Sequence, residues 1–103
     1  MYKKSEQLLD RALESIPLAS QTFSKSFTQY PRGASPFFIE KGKGSKVWDV
    51  DGNEYIDFVN SLAAVTLGYC DKDVDKAVQD QMKNGVTFSL PHILEMEVAE
   101  KLI

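Results

Sequence analysis

Few residues of this chain have the types and spacing that metal binding requires. An EF-hand loop with Gly52 at its invariant sixth position would take ligands from Val47 and Phe58, which cannot coordinate calcium. The alternating acids of residues 71–75 form a second candidate, but a lysine occupies the position where that loop needs glycine. We therefore interpret the acids as turn formers and helix N-terminal charges, and we predict no metal site.

Phosphate-binding and nucleophilic sites fail on similar grounds. The segment 42–46, Gly-Lys-Gly-Ser-Lys, lacks the spacing of a phosphate-binding loop and is expected to join two strands. Cys70 is the only cysteine, so it can form neither an internal disulfide nor a multi-cysteine zinc site. The only histidine, His92, is distant from it in sequence. Residue types alone therefore predict no catalytic and no cofactor-binding residue.

The composition indicates one small domain. The 103 residues are 26% charged with a formal net charge of -3, so the clustered excess of lysine and arginine that nucleic acid requires is missing. The amino-terminal stretch has no continuous apolar region of the signal-peptide kind, and no segment approaches the roughly 18 apolar residues of a membrane span. We expect a cytoplasmic protein with no nucleic-acid and no membrane partner.

The first third of the chain is predicted to be a helix followed by an arm. Apolar residues at helical spacing predict a helix over residues 3–16, within an amino-terminal segment 1–16 that Pro17 ends. Residues 17–36 hold three prolines and show no sustained period. They also hold Phe23, Phe27 and Tyr30, too many aromatics for an inert linker. We expect an extended arm that becomes ordered against something else.

Residues 37–58 carry the clearest structural signal, because short aromatic and β-branched runs alternate with turn residues. The predicted antiparallel strands are Phe37–Glu40, Lys46–Asp49 and Glu54–Phe58. The predicted turns are 42–44 and 51–53, whose glycines can take positive φ. Trp48, Tyr55 and Phe58 are predicted to form the apolar face of the sheet.

The remainder of the region 37–103 is predicted to hold two helices. Residues 59–70 are apolar but small, and periodicity leaves open a strand or a buried irregular segment. Asp71 is the predicted N-cap of a helix that Gly85 closes, and a further helix follows Pro91. That helix has a predicted buried stripe at Leu94, Val98, Ala99 and Leu102. Its apolar pattern stops at Ile103 without a cap, so we expect the sequence to be cut from a longer polypeptide. The predicted fold class is α+β.

Residues 40–58 contain the string G-x-G-x-x-V-W-D-x-D-G-N-x-Y-I-D-F. This string resembles the amino-terminal sheet of the class III pyridoxal-phosphate-dependent aminotransferases, closest to their glutamate-1-semialdehyde 2,1-aminomutase-like branch. The likeness continues through Leu67-Gly68-Tyr69 to the helix with Val98-Ala99-Glu100. The resemblance implies the amino-terminal part of a fold type I enzyme, normally a homodimer, which transfers an amino group between an amino donor and a carbonyl acceptor.

The resemblance also implies that the lysine holding pyridoxal phosphate lies beyond Ile103, in a large cofactor-binding domain. We therefore expect this chain alone to be inactive and not to bind the cofactor. Three positions are implied to contact the small-molecule substrate: Ser24, Phe27 and Leu62. Ser24 matches a serine of the arm before the sheet. Phe27 stands where the branch has an arginine that binds the substrate carboxylate, so this clamp is either lost or supplied by Lys25 or Arg32.

Other departures from the branch favour a relative that acts on another substrate, such as an amino-sugar or another ketone. Leu62 replaces an aromatic that walls the aminomutase site. The usual His-x-His-Pro pattern after the glycine is replaced by Tyr69, Asp71 and Lys72. The alternatives are that Phe27 packs against a dimer partner, that Leu62 is ordinary core and that Ser24 is only a turn residue. An aminomutase, or a stand-alone non-catalytic interaction module that kept the sheet, remains an alternative for the whole protein.

Overall fold

A computed structural model describes all 103 residues and divides them into two compact units, Met1–Asp71 and Lys72–Ile103. The first unit holds helix α1 (Lys3–Leu13), three 3-10 turns (Pro17–Ala19, Phe23–Lys25 and Phe27–Gln29), strands β1 (Ile39–Lys43), β2 (Lys46–Asp49) and β3 (Glu54–Ile56), and the single turn α2 (Asn60–Ala63). The second unit holds helices α3 (Lys72–Met82) and α4 (Ile93–Leu102). The predicted α+β class is confirmed.

The three strands form an antiparallel sheet in the order β1-β2-β3, as predicted. Strand β2 has the predicted bounds, whereas β1 begins at Ile39 and continues to Lys43. The prediction that the first turn spans 42–44 was therefore wrong. Gly42 and Lys43 still pair with β2, and the chain reverses at Gly44 and Ser45.

The predicted apolar face of the sheet is also wrong. Val47 pairs with Tyr55, while Trp48 pairs with Glu54. Successive side chains of a strand point to opposite faces, so Trp48 and Tyr55 lie on different sides of the sheet. Phe58 follows the end of β3 and is 91% exposed.

The core of the first unit contains more polar than apolar side chains. Leu9 and Val47 are its buried hydrophobic residues, and they are accompanied by buried Ser5, Ser26 and Asp49. Helix α1 ends at Leu13, before the predicted boundary at 16, and Pro17 begins the first 3-10 turn. Hydrogen bonds among buried side chains therefore do much to select one folded conformation of this unit.

The segment 17–36 is not an extended arm. It forms 3-10 turns, and its end binds the polar side of α1. Arg32 Nε lies 2.6 Å from Glu6 Oε2 and its Nη2 lies 2.7 Å from Asp10 Oδ1, while the Gly33 amide donates to Glu6 Oε1 over 3.1 Å. Glu6 and Asp10 are four residues apart on the helix, so one guanidinium can reach both carboxylates. The segment thus becomes ordered against a helix of the same unit.

The turn between β2 and β3 caps helix α1. The Asp51 carboxylate accepts hydrogen bonds from the amides of Lys4 and Ser5, at 2.8 and 2.9 Å. Tyr2, the residue at the N-cap position of the helix, provides no side-chain cap. A carboxylate there satisfies free N–H groups and interacts favourably with the helix dipole. The hairpin turn therefore takes over a function that a neighbouring residue usually performs.

Replacing Asp51 with alanine should lower the free energy of unfolding by about 1–2 kcal/mol, the usual loss when a helix N-cap is removed. Urea unfolding, followed by the fluorescence of the single tryptophan, Trp48, measures the change. Glu40→Ala removes an exposed carboxylate from β1 and serves as the matched control. Equal stabilities of the two variants would contradict the capping role.

The second unit agrees with the predicted helix boundaries. Helix α3 starts directly after Asp71, and Gly85 adopts a φ of 97° where the chain leaves the helix. At the start of α4, His92 Nδ1 accepts a hydrogen bond from the Leu94 amide at 3.2 Å. Glu95 Oε1 accepts one from the His92 amide, also at 3.2 Å, which completes a capping box. The histidine therefore has a structural partner at a helix start.

The predicted apolar stripe of α4 is not buried within this chain. Leu94, Val98 and Leu102 are 47%, 55% and 82% exposed. Val78 and Met82 of α3 are exposed as well. Helical spacing identified residues suited to burial, but whether they are covered depends on surfaces that the spacing does not describe.

Candidate functional site

The structure places the three predicted substrate residues on two separate segments. Ser24 lies in the second 3-10 turn, exposed, with its Oγ 3.4 Å from Thr22 Oγ1. Phe27 begins the third 3-10 turn and is half-buried. Leu62 lies on α2 beyond the sheet and is 74% exposed within this chain.

Arg32 is already engaged by other groups. It was one of two residues predicted to replace the missing carboxylate clamp, yet its guanidinium bonds to Glu6 and Asp10. These two hydrogen bonds, with Asp10 contributing more, raise the pKa of Arg32. Lys25 is exposed at the end of the second 3-10 turn. Of the two cations, Lys25 is the one whose charge the structure leaves available to a ligand.

The turn α2 has an unusual backbone. Asn60, Ser61, Leu62 and Ala63 have φ values of 54°, 48°, 57° and 72°, all in the left-handed region, and none of them is glycine. A left-handed residue with a Cβ costs roughly 1–2 kcal/mol relative to the right-handed form. Such a conformation persists only where its surroundings hold it. Of the two alternatives for residues 59–70, the irregular segment is confirmed, although most of it is exposed rather than buried.

Asp57 connects the start of α2 to Tyr69. Its Oδ1 accepts hydrogen bonds from the Val59 and Asn60 amides at 2.9 and 3.0 Å, and its Oδ2 accepts one from the Tyr69 hydroxyl at 2.6 Å. The bond from Tyr69, followed by that from the Asn60 amide, holds the pKa of Asp57 below its usual value despite burial. The same bond raises the pKa of Tyr69. The pair is therefore a charged carboxylate and a neutral phenol at neutral pH.

A cleft of about 250 Å³ lies beside this pair. It is lined by the β1–β2 turn, Asp57, Asn60 and the segment 65–69. It contains no lysine and no arginine, and every lysine of the chain is exposed. Pyridoxal phosphate is held by a lysine and by groups that bind its phosphate, so the residues that line this cleft do not fit it.

The acids tested as calcium ligands have structural partners. Asp49 is fully buried and accepts hydrogen bonds from the hairpin turn and from Tyr55, and Asp51 caps α1. The chain has no group of three or more histidine, cysteine or acidic side chains placed to hold a metal ion. None of its helices combines the length and hydrophobicity that crossing a bilayer requires.

Comparison with known proteins agrees with this structure. The family model described as aminotransferase class-III matches residues 29–103. Glutamate-1-semialdehyde 2,1-aminomutase of Aquifex aeolicus is 38% identical over 100 residues, which are 97% of this chain and 23% of the relative. The chain thus spans under a quarter of the length of this curated relative.

Solved transaminase structures share the fold. An omega-transaminase from Sphaerobacter thermophilus matches with a TM-score of 0.79 and 31% identity, over 93% of this chain and 21% of its own. A transaminase with pyridoxal phosphate bound matches with a TM-score of 0.81 and 30% identity, over 97% of this chain and 22% of its own. With its hairpin string, its three-stranded sheet and a family match over most of its residues, this chain belongs to the class III aminotransferase family, whose members depend on pyridoxal phosphate.

Proposed function

We propose that this chain is the amino-terminal portion of a pyridoxal-phosphate-dependent transferase that moves an amino group from an amino donor to a carbonyl acceptor. The observation that carries the proposal is the class III family match over residues 29–103. The likeness to two transaminases at 31% and 30% identity supports amino transfer as the reaction class. The cofactor provides the electron sink for this chemistry, and we assign the groups that hold it to the part of the polypeptide outside this chain.

The proposed contribution of the chain is to shape the substrate side of the active site. We assign Ser24, Phe27 and Leu62 to this surface. Ser24 is exposed and Leu62 is 74% exposed. Both side chains are therefore available for contact with a substrate, which supports the assignment. Phenylalanine at 27 cannot bind a carboxylate, which favours a substrate whose carboxylate is absent or is held by another residue, such as Lys25.

The proposed partners of the whole protein are a small-molecule amino donor, a keto acceptor and a second copy of the same polypeptide, in the cytoplasm. The exposed apolar side chains of α4 support burial against further polypeptide, because a free helix seldom presents Leu94, Val98 and Leu102 to water together. A net charge of -3 gives no support to a nucleic-acid partner.

An aminomutase is the second candidate. The 38% identity to the Aquifex aeolicus enzyme over nearly the whole chain favours it. The substitutions at Phe27 and Leu62 favour a transaminase with a different substrate. The two reactions differ in their products, because a transaminase converts its donor to a keto compound, whereas an aminomutase returns an isomer of its substrate.

Pyridoxal phosphate should bind the complete polypeptide and not the 103-residue chain. We expect the complete protein to show a stoichiometric visible absorption band that borohydride removes, because its cofactor lysine lies outside this chain. The isolated chain, at equal concentration, is the control and should show no such band, since its cleft contains no lysine. A stoichiometric, reducible band on the isolated chain would contradict this prediction.

Amino transfer is tested on the same complete protein with 15N-labelled amino donors. Label in a new amine, with an equal amount of keto product from the donor, supports a transaminase. Label retained in an isomer of the substrate identifies an aminomutase. If the complete protein binds the cofactor and carries out neither reaction on a panel of amines, amino acids and amino sugars, the proposed function is wrong.

A further inference from the structure

Tyr69 is held at three places in the first unit. Its backbone pairs with Gly44 of the β1–β2 turn, through hydrogen bonds of 2.8 and 2.9 Å. Its ring lies directly on the backbone of Gly42, where an added Cβ would be 2.5 Å from the ring Cγ. Its hydroxyl donates to Asp57 Oδ2 over 2.6 Å. The β1 strand and Asp57, the residue after β3, therefore hold the two ends of this side chain.

The carboxylate of Asp57 links Tyr69 to α2 through hydrogen bonds on both of its oxygens. While Oδ2 accepts from Tyr69, Oδ1 accepts the amides of Val59 and Asn60, where the left-handed turn begins. The Ser61 Oγ lies 3.5 Å from the Tyr69 hydroxyl, which adds a weaker contact within α2 itself. One tyrosine hydroxyl thus orients the group that holds an otherwise unfavourable backbone.

We propose that Tyr69 is a positioning residue that, through Asp57, sets the orientation of α2 and so the placement of Leu62 against the substrate. The inference rests on the proposed function, because Leu62 is assigned there to the substrate surface. Tyr69 itself need not touch the substrate. Its hydroxyl prevents rotation of the Asp57 carboxylate. The hydrogen bonds from the Val59 and Asn60 amides to that carboxylate then keep α2 left-handed.

The test compares two tyrosine hydroxyls in the complete polypeptide. Tyr69→Phe removes the hydrogen bond to Asp57, while the control Tyr55→Phe removes a similar hydrogen bond of 2.8 Å to Asp49, which has no hydrogen bond to α2. We expect Tyr69→Phe to lower kcat/KM for amino transfer about tenfold, mainly through KM, with the bound pyridoxal phosphate unchanged. Tyr55→Phe should lower stability and change kcat/KM less than about twofold.

A double-mutant cycle with Leu62→Ala separates positioning from general stability. If Tyr69 acts through Leu62, adding Tyr69→Phe to Leu62→Ala should lower kcat/KM by less than about threefold. The inference would be overturned if the loss in kcat/KM of the double variant equalled the product of the losses of Tyr69→Phe and Leu62→Ala. Equal activity losses in Tyr69→Phe and Tyr55→Phe would also overturn it.

Amide hydrogen exchange provides a readout that does not depend on turnover. We expect the Val59 and Asn60 amides to exchange about tenfold faster in Tyr69→Phe than in the wild type, and the control variant to leave them unchanged. Unchanged exchange at both amides would overturn the inference even if the enzyme is active. Faster exchange in a protein without amino transfer would instead reject the proposed function and with it the role in substrate placement.

Discussion

Asp49→Ala should lower the free energy of unfolding of the first unit by about 3–5 kcal/mol. The Asp49 carboxylate is fully buried and accepts hydrogen bonds from the Asp51 amide, from the Asn53 amide and side chain, and from the Tyr55 hydroxyl. Its removal leaves these donors, which belong to half-buried residues, without a protein partner, at about 1–3 kcal/mol for each group that water cannot reach. Few buried apolar side chains are available to offset that loss.

Urea unfolding monitored through Trp48 measures this loss, because the tryptophan precedes Asp49 on β2. Asp49→Asn keeps the shape and one acceptor oxygen but loses the charge, so an intermediate loss of about 2 kcal/mol is expected. Glu40→Ala again controls for the removal of an exposed carboxylate from the sheet. A free energy of unfolding for Asp49→Ala within about 1 kcal/mol of that control would show that water replaces the lost acceptor.

The pH dependence of stability gives a second test of the same residue. Burial raises the pKa of Asp49, but the hydrogen bonds from Asn53, Tyr55 and Asp51 outweigh it and keep the pKa below its usual value. Because the folded-state pKa is the lower one, the contribution of Asp49 is fully present above about pH 4 and is lost as the pH falls through the folded-state pKa. Acid should therefore destabilise the wild type more steeply than Asp49→Asn.

Gly42→Ala should cost about 3 kcal/mol, the upper end of the usual effect of overpacking. The added methyl would lie 2.5 Å from Cγ of the Tyr69 ring and 2.8 Å from both Cδ atoms. The backbone of Tyr69 is paired with Gly44 and its hydroxyl is bonded to Asp57, so the ring cannot move away without breaking one of these contacts. Strand β1 and α2 should loosen together. Urea unfolding and faster exchange of the Asn60 amide report both effects.

Gly52→Ala is the matched control for this substitution. Gly52 has a φ of 88°, and nothing lies within 4 Å of a Cβ built on it, so its replacement adds backbone strain without a clash. We expect a loss of about 1 kcal/mol there. A Gly42→Ala protein more stable than Gly52→Ala would show that the Tyr69 ring has room to shift.

The sequence determines the middle of the sheet well and its edges poorly. Strand β2 was predicted residue for residue, since its β-branched and aromatic run lies between two turn sequences. The predicted bounds of β1 were wrong because Gly42, a residue typical of turns, is here a strand residue that packs under an aromatic ring. The ring belongs to Tyr69, far along the chain, and local patterns carry no information about it.

The same limit applies to the candidate site. The resemblance identified Ser24, Phe27 and Leu62 as positions of interest, but it could not show that Arg32 bridges Glu6 and Asp10 of α1. Asp57 was missed because the predicted third strand, Glu54–Phe58, included it, whereas β3 ends at Ile56 and Asp57 begins the connection to α2. The sequence did carry a signal for the hydrogen bonds of Asp49. Asp49, Asn53 and Tyr55 lie at alternate positions of the hairpin, and side chains at alternate positions share one face of a sheet.

The left-handed turn α2 should also shape how this chain tolerates sequence drift. Surface positions ordinarily accept almost any polar replacement, yet the backbone of residues 60–63 disfavours branching at Cβ however open the side chains are to water. Valine, isoleucine and threonine should be rare there among natural variants, and asparagine, aspartate and glycine frequent. At residues 60–63, backbone geometry rather than burial would determine which substitutions are accepted.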